Sequence, residues 1–155
     1  MRKLAIVAAA VAAIAISTLP VAAQSFFLHN GGLRCEYMPA GTCSLMSMEY
    51  DGAIYTIKYV QPRAGLFNIG IRNGTILFQG SVRERLLDGT AYRFKSGCAP
   101  LPYNVAGGLD GDDIVLEGAA AQYSRYGCHN VGFAWDEQSL LRFTWRYGVR
   151  PSAGY

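Results

Sequence analysis

Cys35, Cys43, Cys98, Cys128, His29 and His129 are the side chains of this sequence with the widest range of chemistry open to them. Thiolates and imidazoles are zinc ligands, and His129 directly follows Cys128. No C-x-x-C pair occurs, though, and neighbours in sequence rarely turn toward one ion, so no metal site is expected. An even number of cysteines in an oxidising compartment reads instead as disulfides. Three pairings are possible, and the sequence-local set, Cys35–Cys43 with Cys98–Cys128, is the expected one. Its second bridge would close a loop of about 30 residues and contribute roughly 3 to 4 kcal/mol by restricting the unfolded chain.

Catalytic devices are sparse. No G-x-S-x-G elbow, H-E-x-x-H pair or phosphate-binding loop is present. With no nucleophile motif beside them, His29 is expected in a mobile N-terminal arm and His129 at the surface. Glu36, Glu49, Asp112, Asp113 and Glu117 could in principle supply the two carboxylates of a small envelope hydrolase, but spacing in sequence does not set their separation, and no catalytic residue is assigned. Asp110-Gly111-Asp112-Asp113 shares the composition of a calcium loop without its spaced ligands or closing glutamate, which makes it a polar hairpin loop. No cofactor is called for.

Aromatic and basic side chains carry the remaining signal. The chain holds ten tyrosines, and flat amphipathic rings beside guanidinium groups suit recognition surfaces. Tyr55 and Tyr59 lie among polar positions. Arg83, Arg85, Arg93 and Lys95 straddle Asp88-Gly89; if that dipeptide turns a hairpin, the four cations gather near one edge. These six residues form the candidate binding set, with an anionic glycan, a lipid headgroup or an acidic protein face as possible contacts. The plainer role for such charges is to guard an exposed strand edge against aggregation.

The elements that must position these groups follow an export signal. Residues 1–23 read as a positively charged start (Arg2, Lys3), an apolar run from Leu4 to Ile16 and small residues at Val21-Ala22-Ala23, with cleavage expected before Gln24. The run is too short to span a bilayer, where about 20 apolar residues are needed. Removing 23 of 155 residues leaves 132, enough for one domain with one core. Arg2 and Lys3 leave with the signal, so 12 basic residues face 11 acidic ones, a net charge near +1 that gives no pull toward nucleic acid. A periplasmic or secreted product without a membrane span is expected.

Within that product, residues 24–44 read as an arm carrying the first disulfide, 45–148 as an antiparallel β domain and 149–155 as a flexible tail. Period-two alternation marks strands at Leu45–Tyr50, Ala53–Val60, Leu66–Arg72, Thr75–Arg83, Thr90–Lys95, Pro102–Val105, Asp113–Glu117 and Val131–Trp135. A last strand sets Leu141, Phe143, Trp145 and Tyr147 against Arg142, Thr144 and Arg146. Asp51-Gly52, Asn73-Gly74 and Asp88-Gly89 supply hairpin turns. The fold class is therefore all-β, a single antiparallel barrel or two-sheet sandwich of about eight strands with two disulfides. An outer-membrane barrel also alternates, but its strands are longer and uninterrupted by cysteines.

Leu77-Phe78-Gln79-Gly80, Gly89-Thr90-Ala91-Tyr92-Arg93-Phe94, Gly97-Cys98-Ala99-Pro100, Pro102-Tyr103-Asn104-Val105 and Leu116-Glu117-Gly118 before Cys128 resemble a small exported bacterial β domain found in uncharacterised proteins and sometimes appended to caspase-like peptidases. The resemblance spans about residues 75 to 130. It implies a β fold with a Cys98–Cys128 bridge and an accessory role, and transfers no activity or catalytic residue. The general design is also similar to that of small periplasmic lysozyme inhibitors in export, size and disulfides. The functional expectation is a non-enzymatic exported binding or accessory module whose partner is an envelope polysaccharide or an extracytoplasmic protein.

Overall fold

The computed structural model describes residues 24–150; residues 1–23, where an export signal is expected, and residues 151–155 of the expected tail lie outside the described residues. Period-two segments separated by turns form ten antiparallel strands: β1 (Ser25–His29), β2 (Ser44–Tyr50), β3 (Tyr55–Gln61), β4 (Ile76–Arg83), β5 (Leu86–Arg93), β6 (Leu101–Asp110), β7 (Asp113–Glu117), β8 (Ala120–Tyr123), β9 (Asn130–Ala134) and β10 (Leu140–Gly148). Eight of them close into a barrel in the order β1-β10-β7-β6-β5-β4-β3-β2, and β8 with β9 forms a separate two-stranded sheet. Neighbours in the barrel are neighbours in sequence except at the β1–β10 seam that closes it and where the β8–β9 hairpin is inserted between β7 and β10. The result is an up-and-down meander, the simplest way for consecutive hairpins to abolish free sheet edges.

Inward positions carry the core: Phe27 of β1, Met46 of β2, Ile57 of β3, Phe78 of β4, Leu87 of β5, Val105 of β6, Leu116 of β7 and Phe143 of β10 are all buried. Thr56, Lys58, Gln79, Asp88, Thr90 and Asn104 alternate with them and stand on the outer wall. The apolar side is thus inside and the polar side outside, the reverse of a barrel that meets lipid. No helix among the described residues is long and apolar enough to cross a membrane.

Closing so few strands around side chains bends the wall sharply, and glycines take the tightest places. Gly80 of β4 pairs with Gly89 of β5, where an added Cβ on Gly89 would stand 2.2 Å from the Gln79 carbonyl oxygen. Asp88-Gly89 is therefore strand rather than turn, a correction to the expected hairpin. The chain reverses instead at Glu84-Arg85, both with positive φ (51° and 71°). A second correction concerns Leu66–Arg72. Pro62 leads into a 3-10 helix at Ala64–Ile69, which Gly70 ends at φ 88°, and Phe67 is left exposed. Its backbone bonds, such as Leu66 N–H to the Arg63 carbonyl at 3.0 Å, replace a strand ladder.

The supposed N-terminal arm is also part of the barrel. β1 is gripped between β2 and β10, each residue pairing on both sides, so the domain begins at Ser25 rather than at residue 45. Val149 and Arg150, assigned above to a tail, are held as well: the Val149 N–H donates to the Gln24 carbonyl, Ser25 Oγ donates to the Val149 carbonyl at 2.7 Å, and Arg150 pairs with Asp112 and covers the Trp145 ring. A bulge at Phe26/Phe27 lets Arg146 drop out of register, turning Tyr147 to the outer wall against Phe26, with ring centroids 4.6 Å apart. The alternation expected through Tyr147 thus stops at Trp145.

The disulfides are Cys35–Cys43 and Cys98–Cys128, and no cysteine is free among the described residues. The first closes the β1–β2 connection. The second ties the β8–β9 hairpin to the β5–β6 connection.

Two substitutions check this architecture. Replacing Glu84-Arg85 by Asn-Gly should raise stability by about 1 to 2 kcal/mol in urea titrations, because Asn and Gly occupy positive φ without the penalty that Glu and Arg bear. Phe143→Ala should cost about 3 to 5 kcal/mol, and Trp145→Ala, only half-buried, clearly less in the same titration.

Candidate functional site

The two ends of the barrel differ. One carries short turns, at residues 51–54, 84–85 and 111–112. The other receives every long connection: 30–43 and 62–75, then 94–100 and the inserted segment 118–139 with β8 and β9. Both disulfides lie in these connections. Around them two adjoining cavities open into the barrel mouth, an outer one of about 550 Å³ and an inner one of about 290 Å³. His29, Tyr59, Arg63, Leu66 and Gln138 line both.

Arg63 owes its place to local geometry. Its backbone N–H donates to Ser44 Oγ at 3.0 Å, which moors the start of the 3-10 helix to β2. With three residues per turn, Arg63, Leu66 and Ile69 fall on one face, and all three line the inner cavity. The connection then returns to the barrel through a Gly74 N–H donated to the Tyr59 carbonyl at 2.7 Å and a Tyr59 N–H donated to the Thr75 carbonyl at 2.9 Å. Buried Ile71 and Leu77 form the inner wall; Leu77 faces inward because the pairing of β3 with β4 shifts register beside it. Among the described residues nothing hydrogen-bonds or ion-pairs with the Arg63 guanidinium.

The second guanidinium at the mouth has a counter-ion. Arg93 Nη1 lies 2.6 Å from Asp136 Oδ2 and donates to the Ala121 carbonyl at 3.1 Å. Burial alone would push the Asp136 carboxyl up, but the Gln122 amide, Arg93 and the Gln138 N–H hold it below the usual carboxylate range. Tyr103, whose hydroxyl donates to the Gln138 carbonyl at 2.8 Å, is pushed up to about 12 by burial, and burial raises Tyr59 too. Both phenols are therefore neutral donors.

His29 is a buried barrel residue, not part of a mobile arm. It stacks on Phe143, and its Nδ1 is 2.9 Å from the Arg142 carbonyl oxygen, so Nδ1 carries the proton and Nε2 is the basic nitrogen. Desolvation lowers its pKa to about 4, against the backbone bond and with help from nearby Arg63. The mouth therefore contains a neutral imidazole and one uncompensated guanidinium.

The six binding candidates divide between places. Tyr59 and Arg93 line the mouth. Lys95 stands above it, but its ammonium donates to the Ser124 and Gly127 carbonyls at 3.0 and 2.9 Å and holds the β8–β9 segment. Arg83 and Arg85 are at the opposite end, Arg83 3.9 Å from Asp88, so the expected gathering of four cations does not occur. Tyr55 is core, stacked on Tyr50. Reading from sequence missed Arg63, although Arg63, Leu66 and Ile69 recur every third residue after Pro62; the alternation of Phe67, Ile69 and Ile71 masked that period.

The carboxylates weighed for hydrolysis do not meet at the mouth. Glu49 pairs with Lys58 on the wall at 2.8 Å, Asp113 pairs with Arg142 at 2.9 Å, and Glu36 and Glu117 are exposed. Asp110 accepts from both Arg34 and Arg142 at 2.9 Å, so arginines occupy the acidic loop that resembled a calcium site. Among the described residues no group of three metal-ligating side chains is present.

Burial of neutral His29 sets a pH dependence. As pH falls the unfolded chain binds a proton here near 6.5, whereas the folded protein does so only near 4, so stability drops between those values by up to ~3 kcal/mol and levels off below. Urea titrations at pH 7, 5.5 and 4, alongside His29→Gln, should show this loss in the wild type and a much weaker slope in the variant. Compared with known proteins, the chain matches no family model, no curated protein and no solved structure.

Proposed function

We propose that this protein is an exported, non-enzymatic binding module that contacts an envelope polymer or an extracytoplasmic protein through the loop-bearing mouth of its barrel. The observation that carries this reading is the Arg63 guanidinium, which no residue hydrogen-bonds or ion-pairs among the described residues, in an inner cavity whose other charged side chain, Arg93, is paired with Asp136. A half-buried cation without a counter-ion contributes little to folding and costs desolvation. It becomes favourable when a partner brings the opposite charge.

The surroundings support a contact surface. Leu33 and Leu140 border the outer cavity, 51% and 37% exposed, and Trp135, 69% exposed, directly precedes Asp136 of the same lining in the chain. Rigid aromatic and aliphatic side chains around a charged centre are the usual makings of a binding hot spot. Two disulfides brace the loops that bear them, which lowers the entropy lost on binding. Export accords with the signal segment, with the two disulfides and with the accessory role implied by the resemblance to the exported β domain.

Pull-down from an envelope extract, read for protein and for glycan, tests the reading. The mature protein should capture a partner that Leu33→Asp loses and Arg85→Ala, at the opposite end, keeps. Capture that survives Leu33→Asp but is lost with Arg85→Ala would place the contact on the β4–β5 turn and end the proposal for the mouth.

A further inference from the structure

We infer that the group recognised in the inner cavity is a carboxylate, held by Arg63 and attached to an apolar body that packs on Leu66 and Ile69; this rests on the mouth being the binding site. Charge decides the class. Two guanidiniums line the inner cavity and no carboxylate does, yet Arg93 is neutralised by Asp136 at 2.6 Å. His29 is neutral at physiological pH. One positive charge remains, on Arg63, and it matches one negative charge on a ligand.

Shape decides the rest. A guanidinium presents parallel donors in a planar fork that fits a carboxylate in bidentate fashion. Glu137 borders the outer cavity and disfavours a ligand with a second negative charge there, which sets a phosphate dianion aside. The inner cavity, about 290 Å³, accommodates a head group and a few carbons, and Leu66, Ile69, Ile71, Leu77 and Phe94 supply the apolar part of an otherwise polar lining. The Tyr59 and Gln138 side chains on the same lining are neutral groups able to complete the hydrogen bonding.

The position of Arg63 suits this task. Its backbone is fixed at both the N–H, through Ser44, and the carbonyl, through Leu66, so the side chain is anchored at its root while its guanidinium keeps all its donors. Gly65 lies under it: an added Cβ there would stand 3.4 Å from Arg63 Nη1.

The test uses the mature, disulfide-bonded protein and two probes of one shape, N-acetylphenylalanine and its amide, titrated calorimetrically. The wild type should bind the carboxylate about tenfold or more tightly than the amide, the difference expected of a charge-assisted pair. Arg63→Gln should erase the preference and Arg63→Lys should restore part of it, with urea titrations confirming that each variant is folded. Equal affinity for the two probes in the wild type, no binding of either at millimolar concentration, or a preference that persists in Arg63→Gln would overturn the inference, and the first two need no variant. A further pair, a short peptide ending in phenylalanine with a free or an amidated terminus, separates sources: a stronger preference there than with the free acid assigns the carboxylate to a polypeptide, and a weaker one to a small molecule. Loss of the captured partner in Arg63→Gln without any carboxylate preference would sink the ligand chemistry and leave the mouth reading standing. A carboxylate preference beside undiminished capture by Arg63→Gln and Leu33→Asp would sink the mouth reading instead.

Discussion

The pairing of β1 with β10 is the constraint on which the remaining structure depends. Until Phe27 sits opposite Trp145 and His29 opposite Phe143, the meander from β2 to β7 is an open sheet with two exposed edges and an apolar face in water. Once the seam closes, the same face becomes an interior, the strand ends are brought into a ring, and their connections must emerge at two rims. The tight curvature explains the facing glycines of β4 and β5, which let two backbones approach where side chains would keep them apart. It also explains the burial of His29, which enters the interior because its strand closes the ring.

The division between the rims follows from connection length. Two-residue and four-residue turns leave one rim low and capped by backbone, whereas connections long enough to fold back create walls at the other. Those walls are fastened by two disulfides, by Lys95 on the Ser124 and Gly127 carbonyls, and by Arg93 bridging to Asp136 and Ala121. A loop-bearing rim on a rigid, filled barrel is a common arrangement for recognition, since the scaffold holds the loops without taking part.

The arginines separate by what they meet. Arg142, largely buried, is matched by Asp110 and Asp113; Arg93 is matched by Asp136; Arg34 and Arg150 have carboxylates at the β6–β7 turn. These cations are parts of the scaffold, and the pair at Arg93 also shapes the mouth. Against that background an unmatched Arg63 inside a cavity is conspicuous, because desolvation without compensation is the condition that folding ordinarily avoids. The same setting that disfavours a charged imidazole at His29 strengthens any ion pair a ligand could form nearby.

Much of the wall was legible in sequence because a half-buried strand must alternate. The spans of β3 and β7 and the faces of β10 up to Trp145 could be read directly, as could the disulfide pairing, since cysteines close in sequence close short loops at little cost. Reading stopped where one local signal serves two purposes. Asp-Gly marks a turn in isolation, yet Gly89 sits in a strand because the barrel needs its missing side chain more than its flexibility. Phe67, Ile69 and Ile71 alternate like a strand, yet Pro62 and Gly70 bound a 3-10 helix there. β1 and β8 are short and flanked by irregular chain, so only their partners identify them.

By itself, then, the sequence determined an all-β chain with alternating faces and two bridged loops, because those properties arise from neighbours along the chain. Tertiary structure alone decided which ends of the strands share a rim, which arginine lines the inner cavity without a counter-ion, and that His29 is neutral and buried. Those are properties of distance in space, and they came into being only when β1 closed against β10 and brought residues 29, 59, 63 and 136 to one mouth.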